Sequence, residues 1–203
     1  MNISIVIIIA ISLISIAGFS QPELVYRYQF NAWQIKHRKE YIRIISHGFF
    51  HGGWSHLLIN MFVLWSFGDA VIHYFNRTLP GNSNLMFIVF FFSALVVSSL
   101  YSFAKEKDNY NYNAIGASGA VSAVVFASIL YNPYGTIYLY FIPIPGIILG
   151  VGYLIYSRVM SNRNQDNIGH DAHFWGAVYG FIFPLLFNPS LIRHFFSELL
   201  LFF

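Results

Sequence analysis

Ser118 lies in Gly116-Ala117-Ser118-Gly119, a hydroxyl among small residues at the start of an apolar run. His173 begins a second apolar run, and His51, His56 and Asn60 cluster at the start of a third. A serine hydroxyl is a weak nucleophile until a neighbouring base takes its proton. Imidazole and amide N–H groups can then hold the oxyanion that forms when a carbonyl is attacked. Together these are the parts of an acyl-transfer site, and their apolar setting points to peptide-bond hydrolysis inside a membrane. Taken alone, each part has a plainer use. Ser118 would bond the carbonyl one turn back in its own helix. His173 would bridge two helices, although an ionisable residue within a membrane is costly enough to suggest function. The combination at one depth is what carries the chemistry.

The elements that must position these residues follow from composition. Of the 203 residues, 57% are hydrophobic and 9% are charged; a soluble domain carries about 25% charged residues. Too little polar surface remains to coat a globule, so most of the chain must face lipid. The 14 Tyr, 22 Phe and 4 Trp suit aromatic belts at the two interfaces. Without cysteine, thiolate catalysis, disulfides and cysteine-ligated metal are excluded. A scattered net charge of +3 is too small to indicate nucleic acid. The one basic cluster, Lys36, Arg38 and Lys39, suits lipid headgroups or plain solvation. His51 and His56 are five apart, off a common helical face, with no carboxylate beside them. No metal or other cofactor is expected.

Crossing the hydrocarbon core takes roughly 20 apolar residues as helix. Six segments qualify: 3–19, 56–74, 85–103, 115–131, 136–156 and 171–187. The first lacks a basic leader and a small-x-small cleavage site, which favours an uncleaved span over a signal peptide. Residues 21–55 are too polar to span and too apolar for a flexible linker. They read as a large structured first loop, partly interfacial, with short amphipathic helices. Pro143 and Pro145 are expected to kink the fifth span. Residues 157–170 read as a polar loop and 191–203 as an interfacial tail. With no repeat and no second unit, the chain reads as one all-α polytopic membrane domain, 1–203, a bundle of six transmembrane helices.

Six spans alternate in direction, so spans two, four and six start from the same face. His51, His56 and Asn60, then Ser118, then His173 therefore share one side at similar shallow depth. His56 and Asn60, four apart, share a helix face. Gly176 and Gly180 form a G-x-x-x-G pair, and Gly116 and Gly119 add a small surface on span four. Such surfaces let two helix backbones approach closely, as a serine–histidine hydrogen bond requires.

These residues also fall into three motifs: Gly116-Ala117-Ser118-Gly119; Ala172-His173 followed by Gly176 and Gly180; and His51, then His56-Leu57 with Asn60-Met61. In these motifs, and in their order along all six spans, the chain resembles the rhomboid family of intramembrane serine proteases. The resemblance implies that Ser118 is the nucleophile and His173 the general base, without a triad carboxylate. Asp171, two residues from His173, points elsewhere on the helix. His56, Asn60 and the Ser118 backbone N–H would hold the oxyanion, and His51 matches a supporting position. Partners would be transmembrane protein substrates cleaved near the bilayer surface. The implied location is a bacterial inner membrane, with the site facing outward.

Three features depart from the family pattern. Ser122 stands where many members carry an aromatic ring that stacks on the catalytic imidazole; Phe174 and Trp175 are the nearest rings in sequence. The Trp-Arg pair of the first loop is absent. The loops after spans one, three and five hold Arg27, Lys36, Arg38, Lys39, Arg43, Lys105, Lys107, Arg158 and Arg163, leaving Arg77 and Arg193 opposite. Positive-inside bias would turn that face toward the cytoplasm, against the family orientation. His47 and His170 are expected at the interface. No His-Glu-x-x-His or Gly-x-Gly-Asp motif occurs, which disfavours zinc and aspartyl intramembrane proteases. The main alternative is a catalytically silent rhomboid-like protein that binds membrane clients. A small transporter fits poorly, because its polar groups would line a path to both faces.

Overall fold

Backbone N–H and C=O groups facing lipid have no water to bond, so long apolar runs fold as helices that satisfy them internally. The computed structural model describes residues 2–139, 141–163 and 169–200. Asn2 starts α1 (Ile3–Ser20) by accepting the Ser4 N–H at 3.2 Å. The polar stretch that follows breaks into α2 (Pro22–Tyr28), α3 (Ala32–Arg38), α4 (Arg43–Ser46) and a 3-10 turn at His47–Phe49. Pro22 suits the first turn of α2, where its missing N–H costs nothing. Arg43 ties this loop together. It is buried, its Nε bonds Glu40 at 2.6 Å, and Nη1 donates to the Tyr26 and Gln29 carbonyls at 2.9 Å each.

α5 (Trp54–Thr78) and α6 (Ser83–Glu106) follow, joined through Asn82, which caps α6 by accepting the Leu85 N–H at 3.1 Å. α7 (Ser118–Tyr131) is the central post, with 11 of its 14 residues buried against α5, α6 and α9 (His170–Phe187). At 1.5 Å per residue α7 rises about 21 Å, against about 30 Å of hydrocarbon. Among the largest fully buried side chains of the core are Phe75, Phe87, Phe90 and Phe91. Among the described residues, α1, α5 and α6 are each long and apolar enough to cross a membrane. A fourth candidate is α9 with α10 (Leu191–Leu200), a pair bent by 118°. Among the described residues, length and composition thus support an integral membrane protein, with three or four candidate spans meeting this test and the shorter apolar α7 outside it.

The fifth expected span differs most. Residues 136–156 do not form one kinked helix. Thr136–Leu139 (β1) and Ile142–Pro145 (β2) pair as an antiparallel hairpin, and α8 begins only at Gly146, running to Arg163. The cause is the Ile142-Pro143-Ile144-Pro145 repeat. Proline pushes the residue before it out of the helical region, so Ile142 and Ile144 are held extended. Being two apart, both prolines turn their missing N–H to the same edge, which β2 tolerates as an edge strand. α8 then continues through 157–163, within the stretch expected as a polar loop, of which 164–168 lie outside the described residues.

Candidate active site

The nucleophile candidate is delivered by a loop rather than by the interior of a helix. α7 starts at Ser118 and not at residue 115, because Gly116 takes φ +124, a conformation L side chains rarely adopt. A side chain there would also strike His56: a Cβ would lie 2.7 Å from Cε1 of the ring. As first residue of α7, Ser118 has a backbone N–H with no intrahelical acceptor.

The first loop clamps the segment leading to Ser118. Phe30 and Ala114 exchange two backbone hydrogen bonds at 2.9 and 3.1 Å, and the His47 carbonyl accepts the Gly116 N–H at 3.0 Å. Asn31 donates to the Tyr110 carbonyl at 2.9 Å and to the Asn113 side chain at 3.0 Å. Here His51 has a defined role. The Ser15 hydroxyl, on α1, gives its one proton to the Phe49 carbonyl at 2.8 Å. Its oxygen must therefore receive Nδ1–H of His51, 2.9 Å away. That tautomer leaves Nε2 to accept the Ala117 N–H at 3.4 Å. α1 is thus linked to the residue before Ser118.

Burial, helped by the neighbouring His56, pushes the His51 pKa from 6.5 down to about 3. Between those values the unfolded chain holds the proton and the native site does not. Stability from this group is full above pH 6.5 and lost progressively as pH falls toward 3. His51→Gln keeps a donor and an acceptor but cannot titrate. It should remove up to one proton, about 1.4 kcal/mol per pH unit, from the acid slope of stability. Thermal unfolding in detergent at neutral and mildly acid pH reads this out; equal slopes in the two proteins would contradict the assignment. His47, lowered to about 4 by burial, supplies a residual slope in both.

His56 lies edge-on to His51, ring centroids 4.8 Å apart. Its Nδ1 accepts the Gly52 N–H at 3.5 Å, the outer limit of a hydrogen bond, so Nε2 carries the proton on the side facing Gly116. Asn60 is buried one turn below and donates to the His56 carbonyl at 2.8 Å. Across the bundle, His173 Nε2 lies 2.7 Å from Ser118 Oγ. The small residues permit that approach. A Cβ on Gly176 would overlap the Gly119 carbonyl, and one on Gly180 the Ala123 carbonyl. Gly119 in turn faces Ser98, whose Cβ would lie 2.8 Å from a side chain there. The structure therefore brings Ser118, His173, Gly116, Gly119, Gly176 and Gly180 together, with His51 and His56 beside the same loop.

A rhomboid domain model matches residues 38–190. The chain belongs to the rhomboid family. It is 29% identical over 182 residues to Rhomboid protein 1, mitochondrial, of Saccharomyces cerevisiae, covering 84% of this chain and 50% of the relative. RHOMBOID-like protein 12, mitochondrial, of Arabidopsis thaliana is 27% identical over 144 residues, 66% of this chain and 43% of its own. The human Presenilin-associated rhomboid-like protein, mitochondrial, is 26% identical over 150 residues, 71% and 37% respectively. The chain spans about two fifths to half of these relatives' lengths.

Some neighbours of the site in this rhomboid were not legible from motifs. Neither Phe174 nor Trp175 is the ring on His173: Trp175 stacks on Tyr101 at 6.0 Å, with Phe174 against its edge. The ring beside the imidazole is Tyr153 of α8, at 6.1 Å and 24°. His47 and His170 are buried, not interfacial; His47 packs on Phe30, and His170 sets its ring edge-on to His173 at 5.9 Å. Asp171 accepts from the Ser161 hydroxyl and pairs with Lys105 at 3.4 Å. The one available signal for Tyr153 was negative: a small polar Ser122 where a ring was expected.

Proposed function

We propose that this rhomboid is an intramembrane serine endopeptidase using Ser118 and His173. The reading rests on one observation, the 2.7 Å contact between Ser118 Oγ and His173 Nε2. In the proposed reaction Nε2 takes the hydroxyl proton as Oγ attacks the scissile carbonyl. The Ser118 N–H, the His56 Nε2–H and the second N–H of the Asn60 amide hold the resulting oxyanion. The imidazolium then protonates the leaving amine, the C–N bond breaks, and an acyl-serine remains. Water, deprotonated by the same imidazole, releases the acid and restores the serine. Substrates would be transmembrane segments of other proteins, unwound locally to expose a carbonyl.

The same reading makes α7 and α8 short spans in a six-helix domain covering 1–203, with Ser118 set below the surface at the head of the short α7. It places the domain in a bacterial inner membrane with the site outward. Charge in the first loop is compatible with that orientation because much of it is locally engaged. Lys36 pairs with Asp108 at 2.5 Å, Arg43 with Glu40, and Arg27 and Arg38 each lie 5.6 Å over an aromatic ring.

A membrane-impermeant fluorophosphonate tests activity and sidedness together. Intact bacterial cells should show labelled wild-type protein and no label on Ser118→Ala. Labelling only after permeabilisation would reverse the orientation. A wild type that never labels would leave the silent, client-binding reading.

A further inference from the structure

We infer that Tyr153 is a positioning residue for His173, and that the seating of α8 thereby sets the orientation of the proposed base; this rests on the Ser118–His173 reading above. Three contacts carry it. The Tyr153 ring lies nearly parallel to the imidazole, 24° between planes and 6.1 Å between centroids. Its hydroxyl is 2.6 Å from Ser122 Oγ, and Ser122 is buried on α7 one turn below Ser118. Phe126, a further turn down, lies against the other part of the ring at 6.0 Å. Tyr153 is thus pinned at its tip to the helix that carries the nucleophile, while its face lies along the helix that carries the base. An imidazole on Cβ turns freely about two bonds unless its flanks are filled. A ring fixed at both ends fills one flank.

The residue comes from a helix with a weaker hold on the bundle. α8 is exposed along much of its length, at Val151, Ile155, Tyr156 and Val159. An apolar groove of about 320 Å³, lined by residues such as Phe126, Ile129, Leu154 and Phe181, runs between its lower part and α7 and α9. Outward movement of α8 would withdraw the Tyr153 ring from His173. Had the ring come from residue 122, it would move with the nucleophile and be indifferent to α8. In this chain the ring beside the base is in place only when α8 is seated.

The consequence is a loss in turnover rather than in substrate affinity. Tyr153→Ala should lower kcat for a model transmembrane substrate 10- to 100-fold, leave KM within about twofold, and slow fluorophosphonate labelling of Ser118 in parallel. Tyr153→Phe keeps the ring and should stay within about threefold of wild type. The decisive variant transposes the pair. Ser122→Tyr combined with Tyr153→Ser puts a ring on α7 into the volume that Tyr153 leaves, and should recover at least tenfold over Tyr153→Ser alone. If Tyr153→Ala turns over and labels at the wild-type rate, the inference fails while the serine–histidine reading stands. It fails equally if a folded transposed variant shows no recovery. A wild type that neither cleaves nor labels overturns the catalytic reading and this inference with it.

Discussion

Ser118→Ala, His173→Ala and the double variant should all lose cleavage of a model transmembrane substrate to a common floor, at least about 10⁴-fold below wild type. The magnitude follows from what each group supplies. Without Oγ there is no acyl-serine, and water must attack an amide directly. Without Nε2 the hydroxyl keeps its proton and the amine leaves unprotonated. The two losses do not add, because base and nucleophile act in one step through the 2.7 Å contact. What remains in all three is substrate binding and the oxyanion donors. Both side chains are only partly buried, so alanine leaves neither a large cavity nor an orphaned charge. Thermal stability in detergent should stay within about 1 kcal/mol of wild type. Robust cleavage by either single variant, or a double variant ten times worse than both, would refute the dyad.

Gly176→Ala should be among the most damaging single methyls in the protein. Its Cβ would fall inside the Gly119 carbonyl, and backbone cannot swing aside as a long side chain can. α7 and α9 must then separate along the interface that holds Ser118 against His173, one turn away. Overpacking of this kind costs about 1–3 kcal/mol, and a displacement near 1 Å of reacting groups can cost about 100-fold in rate. Gly180→Ala, blocked by the Ala123 carbonyl, should be comparably destabilising. Gly152→Ala on α8 is the control. Nothing lies within 4 Å of its would-be side chain, and alanine favours helix over glycine by up to about 1 kcal/mol. Melting temperature and cleavage rate, measured on the same preparations, test the set. Wild-type stability and rate in Gly176→Ala would show that the helices do not depend on this contact.

The residues that could do chemistry, and the apolar runs that carry them, were legible because both signals are local. A serine between glycines, a histidine three residues before a G-x-x-x-G pair, and a long run without charge need no neighbour to be recognised. The helical class and the large structured loop followed in the same way. The hairpin at 136–145 was hidden by its apolar composition, which suits strand and span alike; the alternating prolines were the discriminating signal, read as a kink instead of a break. Span number is less local still, since a 14-residue α7 qualifies only through the partners that bury it.

Support for the site belonged to tertiary structure alone. The Ser15–His51–Ala117 chain joins residues from three separate parts of the sequence, and its proton positions follow only once the Phe49 carbonyl is seen to take the Ser15 hydroxyl. Burial of His47 and His170 depends on what packs over them, not on their own neighbours in sequence. The ring on His173 is the clearest case. By itself the sequence determined that a ring was missing at Ser122. Only the packing of α8 decided that Tyr153 takes its place, because a side chain 31 residues away can fill the same volume once two helices lie side by side.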